Sequence, residues 1–456
     1  MASKAQLIEI ILRELRNSQT AKWKPTSTGS AGPQNFPLSL PVGDGRHLSA
    51  NEGLIQAVSS YAKLCLDNYP SLRPRFRIEE FTKLVRQAFG RILTKIDLDQ
   101  KNDGLIEVVA GDVDALLNEW IDQHLAANHL TLGCHLLKGQ DAYPIRIGPV
   151  IFETQGQWCQ RMLDLQKLTP VTARRLQTNW NGKSTRKRKP SNDTHKEDAV
   201  LRAIGNCPIV CTIETNGLSG KFTQEKGVLA ARLAMTAIAL MWHHPSEGLR
   251  WMNLLFDRRV PIRYTAIFSE NGHFGSNSEV IQMSEGRWTD AELIADLRSY
   301  QWLFDTIGDA VFTYVQPTRH SARPTIMNAL FLSLWWYHEA CREPLDQIAT
   351  TKFAASMDAL VVGQDSGKII DFIGARLGYQ AGDPLMKDGR TTKETIQKIY
   401  SASRSRLIHG CSVDYSHDWS QVRGTAEAIG RLCIIAAADW LSQNTSGDDL
   451  AALSQP

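Results

Sequence analysis

The chain of 456 residues lacks the features that mark several large classes of protein. It has little excess of charge, since 51 lysines and arginines stand against 48 aspartates and glutamates, and a net charge of +3 excludes a histone-like protein. Hydrophobic residues at 43% and charged residues at 22% exclude a disordered or collagen-like chain. This length and composition predict two or three globular domains.

The sequence also predicts no membrane-spanning segment, no signal peptide and no disulfide framework. The longest apolar run, 228–242, is interrupted by Arg232 and is too short to cross a bilayer. The first residues do not follow the order of a signal peptide. The eight cysteines are scattered, and Cys207 and Cys211 lie too far apart along a predicted strand to suggest a shared metal ion. We expect a cytoplasmic protein with reduced thiols.

Several catalytic motifs are absent as well. The GKS at 182–184 has no preceding glycine at the Walker spacing, and no Gly-x-Ser-x-Gly elbow occurs. Gly275-Ser276 lacks the downstream Asp-x-Asp of a nucleotidyltransferase. We therefore predict no metal site and no cofactor.

The patterns that are present predict an α+β protein, with a mixed α/β N-terminal region followed by an all-α bundle. Helical periodicity occurs at 3–17, 51–68, 77–95 and 112–128, with an irregular loop over 24–45. Strand-like runs occur at 129–137, 143–152, 207–215 and 260–268, with a helix at 225–244. Strand character is predicted to end near Gln316.

Beyond Pro324 the sequence predicts helices only. They cover 327–343, 351–363, 368–378, 392–409 and 418–443. Gly378 and Gly410 are predicted C-caps, DGRT (388–391) is a predicted turn with an N-cap, and the tail after residue 443 is predicted to fray. The predicted domains are 1–130, mainly helical; 131–324, mixed α/β with a basic loop at 161–190; and 325–445, a helical bundle.

The basic segment 161–190 holds nine lysines and arginines and one acid, Asp164, so nine minus one gives about +8 locally. The stretch 182–197, GKSTRKRKPSNDTHKE, has few apolar residues and predicts an exposed loop. Two interpretations stay open beside a nuclear-localisation signal. The loop is a solvated charge run, or it contacts RNA phosphates without reading sequence. In the second case the RNA-binding residues are Lys187, Arg188 and Lys189.

The most informative string, YSASRSRLIHG at 400–410, closes the fourth predicted C-terminal helix. Its spacing alone also fits solvated helix residues and an ordinary helix end. Its context is the ordered series MDAL (357–360), KIIDFIGARLG (368–378) and then this string. Together these segments resemble the HEPN superfamily, and within it the ApeA-like HEPN domains, over residues 325–445.

The resemblance implies a metal-independent endoribonuclease. Its catalytic pair would be Arg404 and His409, and its site would be shared by two bundles in a homodimer. It also implies a toxic effector of anti-phage defence (abortive infection) or of a toxin–antitoxin system. Residues 1–324 would then sense a phage-derived trigger or restrain the bundle, or an antitoxin would do so.

The chemistry of arginine and histidine side chains is consistent with a catalytic role for Arg404 and His409. Five residues turn an α-helix by about 500°, so Arg404 and His409 point roughly 140° apart and need a frayed helix end or a partner helix to meet. A histidine can move a proton near neutral pH, and an arginine can stabilise negative charge on a phosphate. The expected products carry a 2′,3′-cyclic phosphate and a 5′-hydroxyl.

Three neighbours are candidate RNA-binding or site-supporting residues. Tyr400 precedes Arg404 by one helical turn and either stacks on a base or packs in the core. Arg406 is either a second phosphate contact or a solvated residue. Ser405 departs from the Asn, Asp or His that often follows this arginine in the family. The alternative function is a non-catalytic HEPN scaffold or an RNA-binding module.

Overall fold

The computed structural model describes residues 2–20, 38–43, 45–97, 104–137, 139–257, 262–270, 274–280, 289–319, 321–362, 365–400 and 418–455. The chain forms two compact units, one of Met1–Asn128 with Asn216–Glu225 and one of His129–Thr215 with Lys226–Pro456. Helix accounts for 64% and strand for 10%, which confirms the predicted α+β class. No helix of the described ranges is long and apolar enough to cross a membrane.

The first unit is mainly helical. Its elements are α1 (Lys4–Thr20), β1 (Ser39–Gly43), β2 (Arg46–Ser49), α2 (Glu52–Asn68), α3 (Ile78–Leu93) and α4 (Leu105–His124). The helices follow the apolar periodicity: α3 buries Phe81, Leu84, Val85 and Ala88, which share one helix face. The four predicted helices are confirmed, although α4 begins at Leu105 and not at residue 112.

The predicted irregular loop over 24–45 is wrong at its end, where β1 pairs with β2 in an antiparallel hairpin. Leu40 and Val42, two residues apart, turn their side chains into the core. Each strand of a two-stranded ribbon is an edge, and an edge tolerates Pro41. Helix α3 packs so closely that a side chain at Gly90 would collide with the carbonyl of Pro41.

A five-stranded sheet lies in the second unit. Its strands are β3 (Asn128–His135), β4 (Ile145–Ile147), β5 (Val150–Thr154), β6 (Ile209–Thr215) and β7 (Asn253–Leu254), in the order β4-β5-β6-β3-β7. A further hairpin pairs β8 (Ile262–Phe268) with β9 (Phe274–Val280). The four predicted strand regions, which runs of β-branched and aromatic residues mark, are confirmed. Strands β7 and β9 were not predicted.

Seven further helices precede the C-terminal set in the described ranges; they lie in the second unit, except that residues 220–225, at the start of one helix, belong to the first. They are α5 (Gln155–Asp164), α6 (Pro170–Trp180), α7 (Asn192–Ile204), α8 (Gly220–Ala239), α9 (Pro245–Trp251), α10 (Asp290–Ser299) and α11 (Gln301–Val315). Trp158, Leu176 and Ile204 of α5, α6 and α7 share one apolar cluster with Val210 of β6. The prediction that strand character continues to Gln316 is wrong, because α10 and α11 fill this stretch with helix.

Within its described residues the C-terminal region contains helices and no strand, as predicted. Its helices are α12 (Pro324–Arg342), α13 (Asp346–Asp358), α14 (Ser366–Leu377), α15 (Thr392–Gln397) and α16 (Ser420–Gln443). Gly378 ends α14 in the left-handed conformation and Thr391 caps α15, which confirms both predicted caps. Gly410, the other predicted cap, lies outside the described residues.

The prediction that the C-terminal tail frays is wrong for its described part. Leu453 is fully buried, and Nε of Arg376 donates to its carbonyl at 2.9 Å. The carboxylate of Asp448 accepts the backbone N–H of Ile326 at 3.0 Å, within the first turn of α12. A carboxylate at a helix N-terminus satisfies amides that have no partner in the helix, and this contact holds the tail against the bundle.

Candidate functional site

Four predicted site residues, Arg404, Ser405, Arg406 and His409, lie outside the residues that the structure describes. The structure describes the helix that leads to them as far as Tyr400. Residues 398–400 form a π-helical turn that continues α15. Single π-turns within helices occur frequently at functional sites, so this turn is compatible with a site at the following residues.

Helix α15 begins at a capping box. The backbone N–H of Glu394 donates to Oγ1 of Thr391 at 3.2 Å, and the Glu394 carboxylate accepts the N–H of Thr391 at 2.9 Å. The hydroxyl of Thr391 also donates to this carboxylate, at 3.0 Å. The two hydrogen bonds that the carboxylate accepts from Thr391 lower the pKa of Glu394. The reciprocal contact fixes the first residue of the helix that runs toward the predicted catalytic pair.

One face of α15 and of the π-turn that follows it is buried. Thr392, Thr395, Ile396 and Ile399 are each no more than 1% exposed, and their spacing puts them on one face. Tyr400 follows this face and is half-buried. Packing in the core and support of the site therefore both remain predictions for Tyr400.

Helices α12, α13 and α16 form a packed group in the bundle. The hydroxyl of Tyr337 donates to the carbonyl of Glu427 at 3.0 Å, which joins α12 to α16. Arg423 forms an ion pair with Asp346 at 2.7 Å, which joins α16 to α13. Helix α15 packs mainly against α14, which in turn packs against α16.

The basic segment 161–190 is partly helical, so the prediction of one exposed loop over 182–197 is wrong beyond Ser191. The side chain of Ser191 accepts the N–H of Thr194 and α7 begins at Asn192. The connection between α6 and α7, residues 181–191, is what remains of the predicted loop. Below we call the unit formed by α6, this connection and α7 the basic element.

Some of the positive charge of the basic segment is paired with buried acids. Nε of Arg161 donates to the Glu153 carboxylate at 2.8 Å, and the Glu153 side chain is 5% exposed. Nε of Arg175 donates to both oxygens of Glu197 at 3.0 and 2.7 Å. Arg188 lies 3.6 Å from the same carboxylate. The local surplus of charge is therefore smaller than the sequence count indicates.

The three predicted RNA contacts in this element have different surroundings. Lys187 and Lys189 are exposed, and neither has an ion-pair partner among the described residues. Arg188 is half-buried and directed at Glu197 and Asp193. The structure thus separates two outward lysines from one inward arginine.

Sequence reasoning missed Glu197, which the structure shows at the centre of this arrangement. A signal was present, because Glu197, Val200, Leu201 and Ile204 follow helical spacing and predict a helix with Glu197 on its inner face. The high density of charge in 182–197 concealed this pattern.

A thiol and an imidazole lie close together elsewhere in the second unit. Sγ of Cys207 is 3.6 Å from Nε2 of His135, which lines a cavity of about 670 Å³. Cys207 is only 1% exposed, so its thiol is shielded from solvent. Buried thiols of this kind are poor nucleophiles and poor ligands. Within the described ranges, no group of three or more His, Cys, Asp or Glu residues could hold a metal ion.

Comparison of the chain with protein-family models, with curated proteins and with solved structures found no match. The HEPN resemblance therefore depends on the order of the C-terminal helices and on the string at 400–410. What the chain does has to be argued from its own residues.

Proposed function

We propose that the protein is a metal-independent endoribonuclease of the HEPN type. The observation that carries the proposal is the string YSASRSRLIHG, in which Arg404 and His409 close the fourth of the five helices that the sequence predicts after Pro324. The succession of the described helices α12, α13, α14 and α15 before this string supports it, because the resemblance depends on the order of these segments. The capping box at Thr391 supports it further, since it sets where the site-bearing helix begins.

The proposed chemistry needs only side chains of this chain. His409 takes the proton of a ribose 2′-hydroxyl, whose oxygen then attacks the adjacent phosphorus. Arg404 stabilises the negative charge that develops on the phosphate oxygens. The bond from phosphorus to the 5′-oxygen breaks and that oxygen receives a proton, in a homodimer from the second His409. The products are a 2′,3′-cyclic phosphate and a 5′-hydroxyl.

The proposed role is a cytoplasmic toxic effector in anti-phage defence or in a toxin–antitoxin system. The remainder of the chain would then respond to a phage-derived trigger or to an antitoxin. Residues 325–456 contain 12 lysines and arginines against 15 aspartates and glutamates, so this region does not attract RNA by its net charge. Attraction has to come from the site itself and from the basic element.

The second candidate function is an RNA-binding module whose bundle only dimerises. The observation that favours it is the exposure of Lys187 and Lys189 in the basic element. This candidate needs neither Arg404 nor His409, and cleavage assays therefore distinguish it from the nuclease.

The nuclease is tested by incubating purified protein with total RNA in EDTA. We expect cleavage by the wild type, and a loss of about 10²–10⁴-fold in the rate for His409→Ala, which removes the group that transfers the proton. The Arg404→Ala variant should lose the stabilisation of charge and be similarly weak. A control that carries His47→Ala and Arg91→Ala, both exposed in the first unit, should cleave like the wild type.

Expression in growing cells tests the same pair without purification. We expect growth arrest with the wild type and normal growth with His409→Ala at equal protein level. Undiminished cleavage by the doubly substituted Arg404→Ala, His409→Ala protein, or complete loss of cleavage in EDTA, contradicts the proposal.

A further inference from the structure

We propose that the connection between α6 and α7 is a preformed docking surface for a phosphodiester backbone. In this proposal the outward residues contact phosphates, and they are Lys183, Arg186, Lys187 and Lys189. The inward Arg175 and Arg188 do not contact the ligand but position the connection through Glu197. The proposal rests on the proposed function only in taking RNA as the natural source of this backbone.

Both ends of the connection are fixed by local hydrogen bonds. At its start Gly182 is in the left-handed conformation, and the N–H of Lys183 donates to the carbonyl of Thr178 at 3.0 Å. Together with the bond from the N–H of Gly182 to Asn179, this is the Schellman arrangement that ends helices. At its end the N–H of Ser191 donates to Oγ1 of Thr194 at 2.8 Å. The connection therefore leaves α6 and enters α7 in defined directions.

The middle of the connection is held by side chains. Nη2 of Arg175 donates to Oγ1 of Thr185 at 3.0 Å, while its Nε binds Glu197. Arg188 forms an ion pair with the same carboxylate at 3.6 Å. Because the Glu197 side chain is only 6% exposed, water competes little for these contacts. Thr185 and Arg188 thus anchor the connection at two points three residues apart.

This anchoring leaves the remaining charges directed outward. Lys183, Arg186, Lys187 and Lys189 are exposed, and none has an ion-pair partner within the described parts of the chain. Four positive charges thus lie within seven residues on a connection whose conformation is already set. Contacts from such a surface cost less conformational entropy than contacts from a free chain.

The chemistry of the connection fits phosphates better than a lipid surface. Phosphate oxygens accept from lysine, arginine and hydroxyl groups, and Ser184 adds an exposed hydroxyl between the charged residues. Binding in a membrane interface also needs large apolar side chains, and residues 181–190 include none apart from Pro190. Because contacts to phosphates carry no sequence information, we expect binding with little sequence preference.

The test measures binding of a fluorescent 20-nucleotide RNA, and of DNA of the same sequence, over a range of salt concentrations. All proteins carry His409→Ala, so loss of cleavage cannot be confused with loss of binding. The main variant replaces Lys183, Arg186, Lys187 and Lys189 with Gln. The control replaces four exposed residues of the first unit, also three lysines and one arginine, with Gln, and they are Lys63, Lys83, Arg91 and Lys95.

We expect the main variant to lower the slope of log affinity against log salt by about three, since each phosphate contact with a single strand contributes about 0.7. The control should keep the original slope. RNA and DNA should respond alike, because the contacts are to phosphates. An unchanged slope in the main variant overturns the proposal. So does a variant that loses binding to anionic phosphatidylglycerol vesicles and keeps its RNA slope.

The positioning part of the proposal is tested by Thr185→Val, which removes one anchor without changing charge. We expect affinity to fall by about three- to tenfold at an unchanged salt slope, because the same contacts form from a less ordered connection. Thr178→Val is the matched control, since its hydroxyl bonds only within α6. Wild-type affinity in Thr185→Val overturns the positioning role. If the slope is unchanged, and the same four Gln substitutions in a chain that keeps His409 leave RNA cleavage intact, the docking surface is overturned and the nuclease is not.

Discussion

Glu197 and Glu394 each hold a segment with predicted functional residues, and they do so in opposite surroundings. Glu197 is buried and binds Arg175 and Arg188 across the connection between α6 and α7. Glu394 is exposed and closes a capping box on Thr391 at the start of α15. One segment depends on tertiary ion pairs and the other on hydrogen bonds within four residues. This difference determines how well the structure of each segment could be predicted from the sequence. It also determines how each segment should respond to substitution of its glutamate.

The largest expected effect comes from removing the buried acid. Glu197→Ala leaves Arg175 partly buried without its counter-charge and leaves Arg188 with Asp193 alone. Breaking a buried pair costs about 3–5 kcal/mol. Hydrogen exchange of the α7 amides should report this loss as easier opening of the basic element. Asp198→Ala, the exposed neighbour, is the control and should change exchange little. Equal exchange in the two variants would contradict a role for Glu197 as anchor.

A smaller effect is expected at the capping box. Thr391→Ala removes the side chain that accepts the N–H of Glu394, and such a cap is worth about 1 kcal/mol. Hydrogen exchange in α15 should accelerate by about fivefold, with no change in α7. Thr82→Ala, which removes a hydroxyl within α3, controls for loss of a threonine. Slower or unchanged exchange in α15 would show that the capping box does not hold the start of this helix.

The smallest effect is the dependence of α15 on pH. The hydrogen bonds from Thr391 lower the pKa of Glu394 below its ordinary value of 4.5. A lowered folded-state pKa means that the stabilisation is present above pH 4.5 and is lost as the pH falls through the folded-state value. Helix α15 should therefore loosen only in acid, and Glu394→Gln should remove this dependence. Loosening between pH 6 and 8 would contradict the assignment.

The same contrast explains which parts of the fold the sequence could predict. Thr391, Gly378 and the apolar periodicity of the C-terminal helices are local signals, and the structure confirms them. The segment of β1 is rich in Pro, Gly and Ser, which predicts a loop. Its strand conformation depends on pairing with β2 and on packing against α3, which local patterns do not show. The tail was expected to fray because nothing nearby indicates that Asp448 caps α12.

The basic segment shows the limit of counting charges along a chain. Glu153 precedes the window 161–190 and Glu197 follows it, so a sum over the window included the arginines and omitted their partners. Helices α6 and α7 were missed because the charged residues concealed their periodicity. Unlike the basic segment, the candidate catalytic residues Arg404 and His409 are predicted only from the string YSASRSRLIHG and from the helices that precede it.

The central claim is that Arg404 and His409 cleave RNA without a metal, and the ends of the cut RNA test it most directly. A 5′-labelled RNA is cut by the wild-type protein in EDTA, and the termini are mapped with and without polynucleotide kinase and phosphatase. We expect a 2′,3′-cyclic phosphate and a 5′-hydroxyl with the wild type, and no cut ends with His409→Ala. Fragments with a 5′-phosphate and a 3′-hydroxyl would contradict it.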